Sequence, residues 1–105
     1  MYARVALFEG HDPEQMDELI RRLDDRSQQQ EELIPGARGF LGLFDRPGGK
    51  SIGITFFDSR EAIEAAEPTF AAFPQSFPDS VKGRRVALDV YEVGVVDRPE
   101  RISAD

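Results

Sequence analysis

The sequence predicts one α+β domain of ferredoxin-like type, with the element order β-α-β-β-α-β. Short segments rich in β-branched and aromatic residues, each of strand length, alternate with two helical segments that start at capping residues. A Pro-Gly-Gly turn joins the two middle strands into a hairpin. This order gives a four-stranded antiparallel sheet with both helices on one face. A chain of 105 residues suffices for one such domain.

The first strand and the first helix follow from local signals. A strand is predicted over residues 2–9 and ends at Gly10. Asp12 then caps a helix with Pro13 in its first position, because aspartate accepts from free backbone amides and proline lacks one. Pro35 and Gly36 end this helix. Its apolar residues lie mostly on one face: Met16, Leu19, Ile20, Leu23, Leu33 and Ile34.

The second half of the chain continues the pattern. Strands are predicted over residues 37–45 and 50–57, on either side of a turn at residues 46–49. Asp58 and Ser59 begin a helix that reaches Glu67, where Pro68 breaks, kinks or restarts it. A last strand is predicted over residues 84–96. The domain therefore spans residues 1–96, and residues 97–105 form a polar tail.

Composition excludes several classes of protein. Hydrophobic residues make up 40% of the chain, which indicates a folded domain rather than a disordered one. Cysteine is absent, so disulfides, thiolate metal sites and cysteine nucleophiles are excluded. The net charge of −7 argues against nucleic acid as a partner. The sequence has no bilayer-length apolar run and no signal-peptide pattern, so we expect a cytoplasmic protein without a membrane partner.

The alternation of side chains along the strands separates two apolar faces of the sheet. One set is almost purely aliphatic, and we expect it to carry the helices. The other set holds most of the aromatic rings. If it faced water, it would form an apolar patch larger than monomers usually expose. We therefore expect it to pair with a second copy of the chain about a twofold axis. The aliphatic set is Val5, Leu7, Leu41, Leu43, Ile52, Ile54, Phe56, Val86, Leu88 and Val90.

The face predicted to form the dimer includes two charged residues, Arg4 and Asp89. They lie on neighbouring strands, so we expect them to pair inside the dimer in a structural role, with a catalytic role as the alternative. The predicted dimer-face residues are Arg4, Phe8, Phe40, Phe44, Asp89 and Tyr91.

A Phe-Pro-x-Ser unit occurs twice after the second helix, at residues 73–76 and 77–80. Its prolines oppose a continuous helix. Residues 70–80 are therefore either an irregular plug at the end of the core or an aromatic lid over a pocket between sheet and helices. The predicted pocket wall consists of Phe70, Phe73, Phe77, Ile54 and Phe56.

Residues that usually carry chemistry are sparse in this sequence. The single histidine, His11, lies in a turn, where a surface position or an auxiliary cap is the ordinary interpretation. No spacing indicates a nucleophilic triad or a metal site, and we expect no cofactor. A phenol beside a guanidinium can act as a base, so Tyr91 or Tyr2 with Arg4 or Arg38 is an acid–base candidate. No catalytic residue is assigned on these grounds.

Several stretches carry a resemblance to a known family: YARVALFEG with DPEQ (residues 2–15), PGARGF (35–40), FDSREA (57–62) and VYEV (90–93). They resemble the antibiotic-biosynthesis-monooxygenase-like group of dimeric α+β barrel proteins, over about residues 1–96. The resemblance implies a homodimer whose two sheets face each other with the helices outside. It also implies a pocket in each protomer between the sheet and the helices.

Members of that group include cofactor-independent monooxygenases of polycyclic phenols, quinol monooxygenases and haem-degrading enzymes. Those monooxygenases commonly use Asn and Trp near the pocket, and the haem degraders add a His ligand, whereas this chain contains neither Asn nor Trp. Two functions from different classes are therefore expected. The first is a cofactor-independent monooxygenase acting on a flat phenolic or quinol substrate. The second is a non-catalytic homodimeric module that binds a small hydrophobic or aromatic metabolite.

Overall fold

The computed structural model describes residues 1–29, 33–72, 77–78 and 81–97. These residues form a four-stranded antiparallel sheet with the strand order β2-β3-β1-β4. The predicted ferredoxin-like α+β fold is confirmed. The strands are β1 (Tyr2–Glu9), β2 (Ala37–Asp45), β3 (Lys50–Phe57) and β4 (Arg84–Glu92), and the helices are α1 (Met16–Ser27) and α2 (Arg60–Ala72).

Helix α1 begins close to the predicted position and ends earlier than predicted. Asp12 Oδ1 accepts a hydrogen bond from the amide of Glu14 at 3.0 Å, and Pro13–Gln15 forms a 3₁₀ turn that leads into α1. The helix ends at Ser27, whose hydroxyl donates to the main-chain carbonyl three residues earlier. The prediction carried the helix to Ile34, but α1 itself stops where the apolar stripe thins.

Helix α2 continues through its proline. Ser59 Oγ accepts from the amide of Ala62 at 3.1 Å and caps the first turn. Pro68 lies inside the helix, which reaches Ala72, so a break at this position is excluded. Proline removes one backbone hydrogen bond. The helical turn after Pro68 is stabilised by Phe70. The ring of Phe70 packs edge-on against the buried ring of Phe57 on β3, with the two centroids 6.3 Å apart.

Two clusters of buried side chains lie between the helices and the sheet. The cluster under α2 consists of Ile34, Ala37, Phe57, Ile63 and Ala66. The cluster under α1 consists of Met16, Leu19 and Val81, with Leu23, Phe44 and Phe77 packed against it. The apolar interior is therefore divided into two parts, which leaves room for a cavity that members of both clusters help to line.

The helices cover the aromatic face of β1, β2 and β3, which is the reverse of the prediction. Arg4 hydrogen-bonds Glu67 on α2, Phe44 packs against the α1 cluster, and Phe8 and Phe40 line the cavity beneath the helices. The face assignment is therefore wrong for Arg4, Phe8, Phe40 and Phe44. Side-chain alternation identifies the residues that share a face, whereas the handedness of the crossover connections decides which face the helices cover.

The register of β4 separates the predicted charge pair. Arg4 lies opposite Val90, and Val5 lies opposite Asp89. Val90 packs against the α2 cluster, so Asp89 and Tyr91 point to the other side of the sheet. Arg4 and Asp89 therefore lie on opposite faces and do not pair, because a one-residue difference in register exchanges the faces of a strand.

The face turned away from the helices, called the outer face from here on, is apolar and is not covered by other described parts of the chain. Leu43 and Val86 there are 44% and 43% exposed, and Tyr91 is 56% exposed. No helix within the described ranges has the length and apolar character needed to cross a bilayer. The paired residues of the outer face are Ala3, Val5, Leu7, Gly39, Leu41, Leu43, Ile52, Ile54, Phe56, Ala87, Asp89 and Tyr91.

Candidate functional site

A cavity of about 940 Å³ lies between the covered face of the sheet and the two helices. Strands β1, β2 and β3 form its floor, both helices supply walls, and residues at the start of β4 contribute one edge. Pockets that bind small organic molecules span roughly 300–1,000 Å³. The floor is formed by side chains of the covered face and by Gly53: Arg4, Ala6, Phe8, Phe40, Phe44, Ser51 and Thr55.

Two glycines face each other on β2 and β3, and one of them, Gly53, lies in the floor of the cavity. Gly42 on β2 lies directly opposite Gly53 on β3, in a row with residues of the covered face. A Cβ on Gly53 would lie 3.6 Å from the ring of Phe40, which is ordinary contact, and a Cβ on Gly42 would lie 3.1 Å from the ring of Phe44. Glycine inside a strand often marks a close approach by a ligand. Gly53 is therefore a residue of the site that strand alternation does not identify, although a glycine inside a strand is visible in the sequence.

Phenylalanine rings form much of the apolar lining. Phe70 and Phe77, two residues of the proposed pocket wall, belong to it. Ile54 and Phe56 lie on the outer face, so the pocket-wall prediction is wrong for these two. Phe73 lies outside the described residues, as does much of the segment that was interpreted as a lid or a plug. The rings that line the cavity are Phe8, Phe40, Phe44, Phe70 and Phe77.

Arg4 places a buried positive charge in the cavity. Its side chain is 5% exposed, and Nε donates to Glu67 Oε1 at 2.7 Å while Nη2 donates to Oε2 at 3.3 Å. This two-pronged geometry matches a guanidinium to a carboxylate. The guanidinium carbon also lies 3.7 Å from the centroid of the Phe70 ring, a cation–π contact. The carboxylate and the ring together compensate the burial of the charge.

The described lining carries more positive than negative charge, although the whole chain has a formal net charge of −7. Cationic groups in a concave, partly apolar site concentrate the electric potential there and attract anions. The cationic residues of the lining are Arg4, Arg26, Lys82 and Arg85, and the acidic residues are Glu64 and Glu67.

His11 is buried, which contradicts the predicted surface position. It is 7% exposed and lines the cavity together with Ser51. Its Nδ1 lies 3.1 Å from the carbonyl oxygen of Val81, and its Nε2 lies 2.8 Å from Ser51 Oγ. Because a carbonyl only accepts, neutral His11 carries its proton on Nδ1, and Nε2 accepts from the serine hydroxyl. A hydroxyl hydrogen-bonded to an imidazole can take a proton from a ligand and pass it on.

Glycines allow three chain segments to close around His11. Its amide donates to the carbonyl of Gly49 at 3.0 Å. Gly49 has φ +65°, and a Cβ there would collide with the carbonyl of His11. A Cβ on Gly83 would lie 2.6 Å from His11 Cε1. The end of β1, the β2–β3 hairpin and the approach to β4 therefore meet at one side chain, through contacts that local sequence signals do not encode.

The predicted tyrosine–arginine pairs are not assembled. Tyr2 lies against Arg60, with the guanidinium carbon 5.2 Å from the ring centroid. Arg38 forms an exposed ion pair with Asp58, Nε to Oδ2 at 3.2 Å. Tyr91 lies on the outer face, and neither tyrosine belongs to the cavity lining. The acid–base groups that the cavity does contain are His11 and the acidic and basic residues given above.

The arrangement of the sheet, helices and cavity defines the class of fold. It is the fold of antibiotic biosynthesis monooxygenases, and the resemblance predicted from the sequence is confirmed at this level. No protein-family profile matches the sequence, and no curated protein sequence matches it.

The comparison with solved structures gives particular neighbours. The chain is similar to the haem-degrader MhuD from Mycobacterium tuberculosis, solved with two haems bound in its active site: 24% identity, 92% of this chain and 98% of that chain covered, TM-score 0.66. It is similar to the ActVA-Orf6 monooxygenase of Streptomyces coelicolor in complex with nanaomycin D: 16% identity, coverage 90% and 89%, TM-score 0.61. It is also similar to an antibiotic biosynthesis monooxygenase: 16% identity, coverage 92% and 100%, TM-score 0.55.

Proposed function

We propose that this chain is a cofactor-independent, monooxygenase-like enzyme that oxidises a flat phenolic or quinol substrate with molecular oxygen. The observation that carries the proposal is the cavity of about 940 Å³, which is lined by phenylalanine rings around a floor with no side chain at Gly53. Aromatic rings contact other flat rings favourably in offset or edge-on geometry. The two fold neighbours solved with haem and with nanaomycin D support the proposal, because both ligands are flat polycyclic molecules.

The His11–Ser51 pair supplies the base in this reaction. As the serine hydroxyl takes a proton from the substrate, it passes its own proton to Nε2 of His11, while Nδ1 stays bonded to the carbonyl of Val81. The substrate anion is electron-rich and transfers its electrons to oxygen. For a methylene between two aromatic rings, CH₂ and O₂ give C=O and H₂O. One oxygen atom enters the product and the other leaves as water.

Ligation of a haem iron receives less support from these residues. His11 is the only histidine of the chain, and both of its ring nitrogens are already hydrogen-bonded. The hydrogen bonds of His11 therefore favour a reaction in which the deprotonated substrate reacts directly with molecular oxygen.

Oxygen consumption tests the proposed reaction. A panel of anthrones and quinols is added to the protein in an oxygen-electrode cell, and we expect uptake above the uncatalysed rate for at least one flat substrate. The Ser51→Ala variant removes the hydroxyl from the relay and should lower the rate by about 10²–10⁴-fold, the usual range for general base catalysis. Uptake that equals the protein-free rate across the panel rules out the proposed activity.

A second candidate function is a non-catalytic module that retains a hydrophobic or aromatic metabolite. One observation favours it: both nitrogens of His11 hold chain segments together, which is a complete structural role. Native mass spectrometry after mild purification separates the candidates. A retained ligand that is unchanged by oxygen supports the module, whereas turnover of that ligand supports the enzyme.

The homodimer remains a proposal, and its contact surface is now the outer face. Leu43, Val86 and Tyr91 are exposed there, and a group of exposed apolar side chains on one face of a sheet is typical of a protein–protein contact. A second copy presents the same face, and two sheets pack face to face at a distance of about 10 Å. In this arrangement the helices and the cavity of each protomer lie on the outside of the pair.

A further inference from the structure

We infer that Arg4 is the binding site for an acidic group on the cavity's ligand, and that Glu67 occupies this site until the ligand displaces it. The inference rests on the proposed use of the cavity and narrows the class of ligand. That class is a flat aromatic molecule that carries a carboxylate or an ionised phenol.

The two partners of this ion pair differ in burial. The side chain of Arg4 is 5% exposed and that of Glu67 is 39% exposed. A buried guanidinium needs an anion beside it, since an unpaired buried charge is strongly unfavourable. Glu67 lies on α2 at the rim of the cavity. When its carboxylate leaves Arg4 it can move into water and be hydrated there, so the move costs little free energy. Arg4 is fixed on β1 beneath the helices and has no such alternative. Exchange of the anion therefore proceeds by movement of Glu67.

One nitrogen of Arg4 remains available to the ligand. Nε and Nη2 donate to Glu67, whereas Nη1 makes no hydrogen bond to a described residue. No fully buried side-chain nitrogen or oxygen in the described part of the chain lacks a partner. Nη1 therefore keeps some accessible surface, and Arg4 itself lines the cavity. A ligand carboxylate meets Nη1 first and then takes the positions of the Glu67 oxygens.

Phe70 keeps the guanidinium in place during this exchange. The ring centroid lies 3.7 Å from the guanidinium carbon, and the ring is itself packed on Phe57 in the core. The donors are therefore oriented before the ligand arrives, which lowers the entropic cost of binding. Because the other rings of the lining are close by, an aromatic acid can contact them and Arg4 together.

Glu67 acts in this scheme as an internal competitor. A neutral aromatic ligand occupies the apolar part of the cavity and leaves the Arg4–Glu67 pair intact. An acidic ligand must displace a carboxylate that already sits on the same donors. Removal of the Glu67 charge should therefore strengthen the binding of acids and leave the binding of neutral analogues unchanged.

The experiment uses anthraquinone-2-carboxylate and its neutral carboxamide as probes, with affinities measured by isothermal titration calorimetry on the full chain. Glu67→Gln should bind the carboxylate about tenfold more tightly than the wild type, as expected for one charge-assisted hydrogen bond. The carboxamide should bind both proteins equally. Glu64→Gln is the matched control, because Glu64 lies one helical turn away in the same lining and does not bond Arg4. Arg4→Gln should lose the preference for the carboxylate.

Three results would overturn the inference. The first is an unchanged carboxylate affinity in Glu67→Gln, and the second is an equal gain in Glu64→Gln, which would indicate a general charge effect. The third is a failure of the carboxamide to bind the wild type, or of the carboxylate to bind Glu67→Gln. The probes are already oxidised quinones, so their binding does not depend on turnover. A retained carboxylate preference with no oxygen uptake from any substrate would reject the enzyme and leave the Arg4 site standing.

Discussion

Gly42 of the edge strand β2 lies directly opposite Gly53 of β3, in a row with residues of the face that the helices cover. No side chain rises from the sheet at these two positions. At Gly42 the ring of Phe44 fills the space of the missing side chain, 3.1 Å from the Cβ position. At Gly53 the ring of Phe40 lies 3.6 Å from the Cβ position, and this residue lines the cavity. Gly53 therefore leaves the floor of the cavity without a side chain, and Gly42 makes room for the ring of Phe44.

Substitution of Gly53 should fill the cavity without unfolding the protein. A Cβ at this position meets the ring of Phe40 at 3.6 Å, and valine is more favourable than glycine in a strand. We expect Gly53→Val to keep or raise the thermal midpoint and to lower the affinity for a flat aromatic ligand at least tenfold. Gly53→Ala should have a smaller effect. Equal ligand affinity in all three proteins would show that the ligand binds elsewhere.

Charge on the outer face should separate the proposed dimer. Leu43 is 44% exposed in the single chain, so Leu43→Asp costs little in the fold and introduces a carboxylate into an apolar contact. Multi-angle light scattering at micromolar concentration should give a dimer for the wild type and a monomer for the variant.

The matched control for that experiment is Ala65→Asp, which introduces the same group on the exposed side of α2. It should leave the mass at that of a dimer. A monomeric wild type would contradict the proposal outright, and a dimer that survives Leu43→Asp but not Ala65→Asp would place the contact on the helices.

His11 should contribute to stability through its two hydrogen bonds. His11→Phe leaves the hydroxyl of Ser51 and the carbonyl of Val81 without their buried partner, and each loss costs about 1–3 kcal/mol. We expect urea denaturation to give a free energy of unfolding about 2–4 kcal/mol below that of the wild type. Ser51→Ala should cost about half as much. A change below about 0.5 kcal/mol in His11→Phe is typical of a surface site. It would mean that the hydrogen bonds of His11 to Ser51 and Val81 are not formed.

Glu18 should titrate below an ordinary glutamate. It accepts from Arg21 Nη2 at 2.6 Å and from Arg22 Nε at 2.7 Å, and these bonds lower its pKa. A lowered folded-state pKa stabilises α1 above the unfolded value of about 4.3, and this contribution is lost as the pH falls through the folded value. Carbon-detected NMR titration of the Glu18 carboxyl should show the shift and its decrease in 1 M salt. Titration at the value of a free glutamate would contradict the ion pairs.

The sequence was sufficient for the fold because its signals are local. Asp12 and Pro13 mark the start of the first helical segment, and the hairpin turn lies where the Pro-Gly-Gly sequence predicts it. The face that carries the helices was not predictable from alternation alone, because both faces of β1, β2 and β3 are apolar. The aliphatic character of one face and the aromatic character of the other did not indicate which of them the helices cover. The aromatic face lies under the helices because of the handedness of the crossover connections, which side-chain alternation does not encode.

The site depends on contacts between residues distant in sequence, and these were missed. Arg4 and Glu67 are 63 positions apart, and His11 bonds residues 40 and 70 positions away. No periodicity or capping rule links such residues. Two local signals did indicate the cavity: the phenylalanines after the second helix, Phe70 and Phe77, and Gly53 inside β3, since glycine in a strand needs a reason.

Oxygen labelling tests the proposed reaction in the cavity most directly. Turnover of an anthrone under ¹⁸O₂ in H₂¹⁶O, followed by mass spectrometry of the product, should show one ¹⁸O atom in the new carbonyl. Its rate of formation should fall in Gly53→Val, which leaves the His11–Ser51 pair in place and fills the space for the substrate. Product that forms no faster than without protein, or that takes its new oxygen from water, would contradict the account.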